Sequence, residues 1–264
     1  MPAALYSCDP GLYCRSHSAR ALWLLGYPER ARLRSRETLA LARAVGDPRS
    51  LAHALMFAAI CHQLRREPGA AQEHAEACVT TCETHGIADE PKRVAIVLGW
   101  ARAVRGQPEE GVAQLQESLA ALRAVRSINT LPYYLTLLAD ALGHGGRPEE
   151  GLAVIDDARG EVGRTGECFY EAELYRLKGE LLLQSGLGNP IPNAETAFRQ
   201  AIEIARRQQA RSLELRATVS LTRLWQAERR GPEGRDALAT TCGWFTEGLD
   251  TVDLREARAL LEAL

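Results

Sequence analysis

The residues whose types could do metal chemistry gather around His74, Cys78, Cys82 and His85, at relative positions i, i+4, i+8 and i+11, with Cys61-His62 upstream. Such spacing strings side chains along one helix face, and thiolate with imidazole is a donor set for zinc. Four ligands along one helix cannot surround a single ion. Only a neighbouring pair completed by Cys61 or His62 would supply tetrahedral geometry. A metal-dependent enzyme built on this cluster is one reading. Ordinary burial is the other, since Cys78 also falls where a helix crossing needs a small residue and a buried cysteine behaves as an apolar group.

Other candidates are simpler to explain. Gly143-His144-Gly145-Gly146 resembles a phosphate-cradling loop, but no strand precedes it and no Lys-Ser/Thr follows, so it reads as a helix terminator. Asp156-Asp157, Glu109-Glu110 and Glu149-Glu150 offer adjacent carboxylates, yet neighbours on a helix point about 100° apart and cannot share a substrate atom. The glutamate pairs instead suit the positive end of a helix. Cys8 and Cys14 are near enough in sequence for a strained local disulfide, or are free thiols on an untethered terminus. No catalytic constellation emerges, no cofactor is implied, and the chain is expected not to be an enzyme.

The elements that position these residues are announced by a recurring marker. Gly106-Gln107-Pro108-Glu109-Glu110-Gly111 returns as Gly146-Arg147-Pro148-Glu149-Glu150-Gly151, 40 residues later. Glycine supplies a left-handed helix stop, proline the first position of the next helix, and the glutamates face its positive end. Related prolines stand at 28, 68, 190 and 232, so the spacings are 40, 40, 40, 42 and 42. A fixed period of this size is the mark of a solenoid, and six units fit the 264 residues.

Hydrophobic residues make up 46% of the chain, dominated by alanine and leucine, without the alternation of strands. The fold class is all-α, in one domain spanning 1–264. Repeats are expected near 10–46, 49–86, 90–126, 129–166, 169–209 and 212–247, with an amphipathic capping helix at 253–264. Asn193 is the expected cap of the fifth repeat's second helix, and Glu233 to Glu247 the expected second helix of the sixth. Only nine residues precede the first repeat, too few for a polar capping helix. Ala21, Leu22 and Leu24 are thus expected to lack cover on one side, as in the downstream piece of a longer protein.

With 32 basic and 34 acidic residues the formal charge is -2, which gives no basic field for nucleic acid or anionic lipid. Arg206, Arg207, Arg211 and Arg216 are interleaved with Glu203 and Glu214, so they form no basic stripe. The longest apolar stretch, Ala52 to Cys61, is too short to span a bilayer, and the first residues show no basic region before a hydrophobic one. Seven cysteines without paired spacing fit reduced thiols and a cytoplasmic location.

In the fifth repeat, Leu177, Gly179 and Leu182, then Ala194, Phe198 and Ala201, resemble the tetratricopeptide pattern. Gly99, Gly111, Leu115 and Ser118 hold the same places in the third repeat, and Ala59, Ala71, Ala75 and Cys78 in the second. Small residues at these crossings let helix backbones approach closely. Further segments, Ala21 to Pro28, Phe169 to Leu183 and Trp244 to Leu264, resemble the C-terminal repeat region of large bacterial adenylate/guanylate cyclases carrying an AAA-type or STAND ATPase module. The resemblance implies a right-handed tetratricopeptide-like solenoid of six hairpins acting as a sensor or docking arm, with ATPase and cyclase modules upstream. None of their motifs is present here, Gly-x-x-x-x-Gly-Lys-Ser/Thr included.

In a tetratricopeptide array the first helix of each repeat lines the inner groove. Alignment on Gly99 then assigns to the groove Tyr13, Arg20 and Trp23; His53 and Met56; Arg93 and Trp100; Tyr133, Thr136 and Asp140; Glu173, Arg176 and Glu180. Aromatic area with directed hydrogen bonding suits a peptide, a protein or a small effector molecule. In the contrasting reading, Trp23, Met56 and Trp100 pack between repeats. The expected function is a non-enzymatic interaction or ligand-sensing module of a bacterial regulator. Self-association into a homo-oligomer is the alternative.

Overall fold

The computed structural model describes residues 8–88, 90–124 and 130–264. Within them lie thirteen α-helices. They are α1 (Pro10–Leu24), α2 (Pro28–Val45), α3 (Pro48–Leu64), α4 (Pro68–His85), α5 (Glu90–Val104), α6 (Pro108–Ala124), α7 (Leu131–His144), α8 (Pro148–Thr165), α9 (Glu171–Ser185), α10 (Pro190–Arg207), α11 (Arg211–Ala227), α12 (Gly231–Gly243) and α13 (Val252–Glu262). The expected repeat boundaries at 126 and 129 lie outside the described residues.

Local chemistry sets these limits. Proline occupies the first turn of α2, α3, α4, α8 and α10, where its missing N–H has no intrahelical acceptor to lose. Asp47 caps α3 by accepting from Ser50 N–H at 2.8 Å and from the Ser50 hydroxyl at 2.6 Å. That serine hydroxyl also accepts from the Asp9 backbone N–H at 3.0 Å, tying the start of α1 to α3. At the other end of a helix, Gly166 takes φ +74° and its N–H returns to Val162 O, the left-handed closure glycine permits without strain.

Two expected boundaries are corrected. Helix α10 begins at Pro190 rather than after Asn193, because Pro190 and Pro192 both fit a first turn that needs no N–H donors. Helix α12 ends at Gly243 rather than Glu247. The chain leaves the helix there to bury Phe245 among Leu215, Val219, Leu238, Leu254, Ala257 and Leu260, the cluster that seats α13.

Two compact units result, one of Met1–Trp23 and Tyr27–Ile128, the other of Leu24–Gly26 and Asn129–Leu264. In each, helix hairpins stack so that first helices neighbour first helices: α3 meets α5 in the first unit, and α7, α9, α11 and α13 meet in succession in the second. The hairpins cross where side chains are smallest. A Cβ on Gly111 would stand 2.4 Å from the Gly99 carbonyl oxygen, and one on Gly179 would meet the Phe198 ring at 2.3 Å. In the second repeat's hairpin, about two turns from the equivalent crossing of Ala59 and Ala71, the Cys78 thiol donates to Ala52 O at 3.2 Å.

Candidate functional site

The first-helix face of each unit carries side chains that core packing alone does not call for. In the first unit, the period of 40 brings Tyr13 of α1 beside His53 of α3, their rings stacked at 5.3 Å and 22°. One turn on, His17 meets Phe57 edge-on at 4.7 Å, and Phe57 lies 4.7 Å from His53. Arg20 closes the row, its guanidinium 5.9 Å from the Phe57 ring centre and its Nη2 3.1 Å from His17 Nδ1. Burial, then the charges of Arg20 and His53, push the His17 pKa down to about 4. At the opposite end, Glu90 of α5 places Oε1 3.6 Å from His53 Nδ1. Tyr13 is 47% exposed, so the row is open to solvent on this side.

In the second unit the same helix positions form a lattice of arginines and carboxylates. Arg176 of α9 bonds Glu173 at 2.8 Å and Glu180 at 3.3 Å on its own helix. Glu173 also lies 3.8 Å from Arg216 of α11, which grips Asp253 of α13 through Nη2 at 2.9 Å and Nε at 3.0 Å. The Ser220 hydroxyl donates to Glu180 at 2.6 Å, 40 residues away, and Arg223 pairs with Glu256 at 3.0 Å. Burial opposes the charge on both inner arginines. Glu173, Glu180 and Asp140 around Arg176, with Asp253 and Glu173 around Arg216, more than offset it and hold both pKa values above the ordinary arginine value. Asp140, partly exposed, lies 3.8 Å from His144 at the edge of the lattice.

Of the thirteen expected groove residues, Trp23, Met56, Trp100, Tyr133 and Thr136 are buried. Thr136 turns its hydroxyl back to Pro132 O at 2.7 Å, and Tyr133 packs on Tyr170 at 5.1 Å and Phe169 at 5.9 Å. Large side chains at these positions pack into the hairpin stack rather than onto its surface. Of the others, Tyr13 is exposed, Arg20, Arg93, Asp140, Arg176 and Glu180 are partly exposed, and His53 and Glu173 are buried. His17, Phe57, Glu90, Arg216, Ser220 and Asp253 were not anticipated. Adding 40 to Arg176 and Glu180 reaches Arg216 and Ser220, and 80 added to Glu173 reaches Asp253.

The cysteine and histidine cluster is dispersed. Cys61 and Cys78 are buried, and burial raises both thiols, Cys61 to about 12. His62 and His74 rings lie 5.1 Å apart, but His62 Nδ1 is engaged by Glu67 at 2.6 Å and His85 is exposed at the helix end. Among the described residues no group of three or more His, Cys, Asp or Glu converges as metal ligands. Cys8 and Cys14 are free thiols, one buried and one exposed, not a disulfide. Also among the described residues, no helix is long and apolar enough to cross a membrane.

No known protein family's sequence profile matches the chain. An uncharacterized protein of Rhizobium meliloti (strain 1021) is 28% identical over 206 residues, 78% of this chain and 20% of that protein, so the chain spans about a fifth of this relative's length. Among solved structures, NprR in complex with its cognate peptide NprX superposes with a TM-score of 0.67 at 10% identity, covering 96% of this chain and 70% of that one. A signal transduction ATPase with numerous domains from Pyrococcus horikoshii, which has a tetratricopeptide repeat sensor, gives 0.52 at 13% identity, over 96% of this chain and 38% of that one. Identities this low speak of fold alone. The chain is an all-α, tetratricopeptide-like helical repeat protein.

Proposed function

We propose that this chain is a non-enzymatic recognition module that binds an extended peptide or protein segment along its first-helix faces. The carrying observation is the 40-residue recurrence of polar and aromatic side chains at first-helix positions, where packing alone would place leucine or alanine. Tyr13, His53 and Arg93 share one position, and Asp140, Glu180 and Ser220 another. A rigid row of aromatics and oriented charges gives area and direction at low entropic cost. The peptide held by NprR and the sensor role of the repeats in the Pyrococcus horikoshii ATPase support the reading. So does a relative about four times the chain's length, consistent with a docking arm on a larger regulator. Upstream ATPase or cyclase modules and a cytoplasmic setting belong to this same proposal.

The test is selection of a random peptide library on the wild-type chain, followed by binding to a variant carrying Tyr13→Ala and Arg93→Ala in the first unit, and separately to Glu180→Ala in the second. Selected peptides should lose about tenfold or more in affinity, or ~1.4 kcal/mol, while the circular dichroism spectrum is unchanged. Peptides that bind both proteins equally, or a selection that enriches nothing, would remove the reading.

Self-association keeps one observation in its favour. Of the eight exposed large hydrophobic residues among those described, Leu33, Leu41 and Val45 lie on α2. Exposed apolar side chains gathered on one helix suit an interaction site. If it pairs copies, light scattering should show an oligomer that Leu33→Lys with Leu41→Lys converts to monomer. A wild-type monomer at tens of micromolar ends this alternative.

A further inference from the structure

The first unit holds a set of unmet hydrogen-bonding groups that the aromatic row alone does not explain. His53 is 5% exposed and its Nε2 has no partner. The Glu90 side chain is 12% exposed and its Oε2 is likewise buried without a partner. Buried polar atoms are normally satisfied, and a buried carboxylate oxygen left unmatched is costly.

The two atoms ask for the same kind of partner. An ionised carboxylate only accepts hydrogen bonds, and the histidine tautomer that turns its Nδ1 proton toward Glu90 leaves Nε2 as an acceptor too. Glu90 Oε2 therefore requires a donor, and so does His53 Nε2 when the ring is neutral in that tautomer. Beside them lie the Tyr13 ring, stacked on His53, and the Phe57 ring, 4.7 Å from His53, whose faces attract a cation. The local field has the matching sign. Burial, then the charges of Glu90, Asp9 and Asp47, push the Cys8 thiol up to about 11. Arg20 and its positive charge sit at the other end of the row, on Phe57 and His17.

We infer that Glu90, His53 and Tyr13 form a subsite for a cationic side chain, the guanidinium or ammonium of an arginine or lysine in a bound peptide. The inference rests on the peptide-binding reading and names the chemistry of one position in it. Glu90 neutralises the cation, His53 accepts from it, and Tyr13 covers it on the solvent side.

The probe is a fluorescein-labelled Gly-Arg-Gly-Arg-Gly with blocked termini, measured by fluorescence polarisation against its Gly-Gln-Gly-Gln-Gly counterpart. The arginine peptide should bind the full chain at least tenfold more tightly than the glutamine peptide. Glu90→Gln should erase that preference. Tyr13→Ala, at an exposed position, should weaken arginine binding severalfold even if the Glu90 variant fails to fold. Equal binding of the two peptides leaves peptide recognition standing and overturns the cation subsite. Arginine binding indifferent to both Glu90→Gln and Tyr13→Ala overturns it as well, and binding of neither peptide overturns it together with its premise at this face.

Discussion

Asp253→Asn is the perturbation that most directly probes the second unit's lattice. The Arg216 and Asp253 side chains are 7% and 10% exposed, so water does little to shield the guanidinium once its partner is neutral. With an effective dielectric constant of roughly 20, the lost attraction at 2.9 Å is about 6 kcal/mol, and that of Glu173 at 3.8 Å, which remains, is about 4. Removing one member of a buried pair costs about 3–5 kcal/mol. The remaining Glu173 and the carbonyl of the new asparagine, still able to accept from Arg216, bring the expectation to about 2–3. Repeats contact only their neighbours, so the loss should stay near α13, which its apolar cluster with Leu254 and Leu260 keeps from detaching outright. Native-state hydrogen exchange should show the α13 amides opening roughly 30- to 150-fold more often, with α1–α6 unchanged. Arg216→Met with Asp253→Met should restore most of the protection, because an apolar pair replaces a buried ion pair at little cost. Unchanged α13 exchange in the single variant, or a loss spread evenly along the chain, would refute the assignment of Arg216 as the fastener of α13.

Two further outcomes follow from packing and titration. Gly111→Ala places a methyl group 2.4 Å from the Gly99 carbonyl, so the hairpin must open by about 1 Å. The strain exceeds the gain in helix propensity and should cost about 1–2 kcal/mol net. Gly160→Ala in α8, where nothing lies within 4 Å, should stabilise by up to about 1 kcal/mol. Urea unfolding of the two variants should therefore shift in opposite directions. His17 is held neutral, its pKa depressed from 6.5 to about 4 by burial first and then by Arg20 and His53. Its contribution is complete above pH 6.5 and is lost as the pH falls toward 4. His74, lowered mainly by burial and then by His62, acts in the same sense. The carboxylates of Glu67 and Glu195, whose pKa values are lowered, lose their contribution only below about pH 4.5. Urea midpoints should thus already decline between pH 6.5 and 4.5, and His17→Gln should flatten that part of the profile. An unaltered slope would mean that His17 is solvated in the native state.

Helix ends and hairpin crossings were legible because local chemistry encodes them. Proline fits a first turn, glycine closes a helix where a left-handed residue is needed, and Gly99 opposite Gly111 follows from the resemblance to the tetratricopeptide pattern. Even there tertiary packing moved two boundaries, at Pro190 and at Gly243, the second because Phe245 had a core to enter. The site was less legible. Successive residues turn about 100° around a helix axis, and the rotation of each helix in its stack is set by neighbours far away in sequence. Trp23, Trp100 and Tyr133 were consequently indistinguishable in type and spacing from Tyr13, yet they are buried and Tyr13 is not.

The amino-acid sequence by itself determined the period, the all-helical class and which positions face along the first helices, since each depends on residues within about one repeat. Only the tertiary structure decided which of those positions meet solvent and which charges meet each other. The pairing of Glu173 with Arg216, of Arg216 with Asp253 and of His53 with Glu90 crosses from one helix to another. Those distances exist only once hairpins have stacked and fixed each helix's rotation against the next.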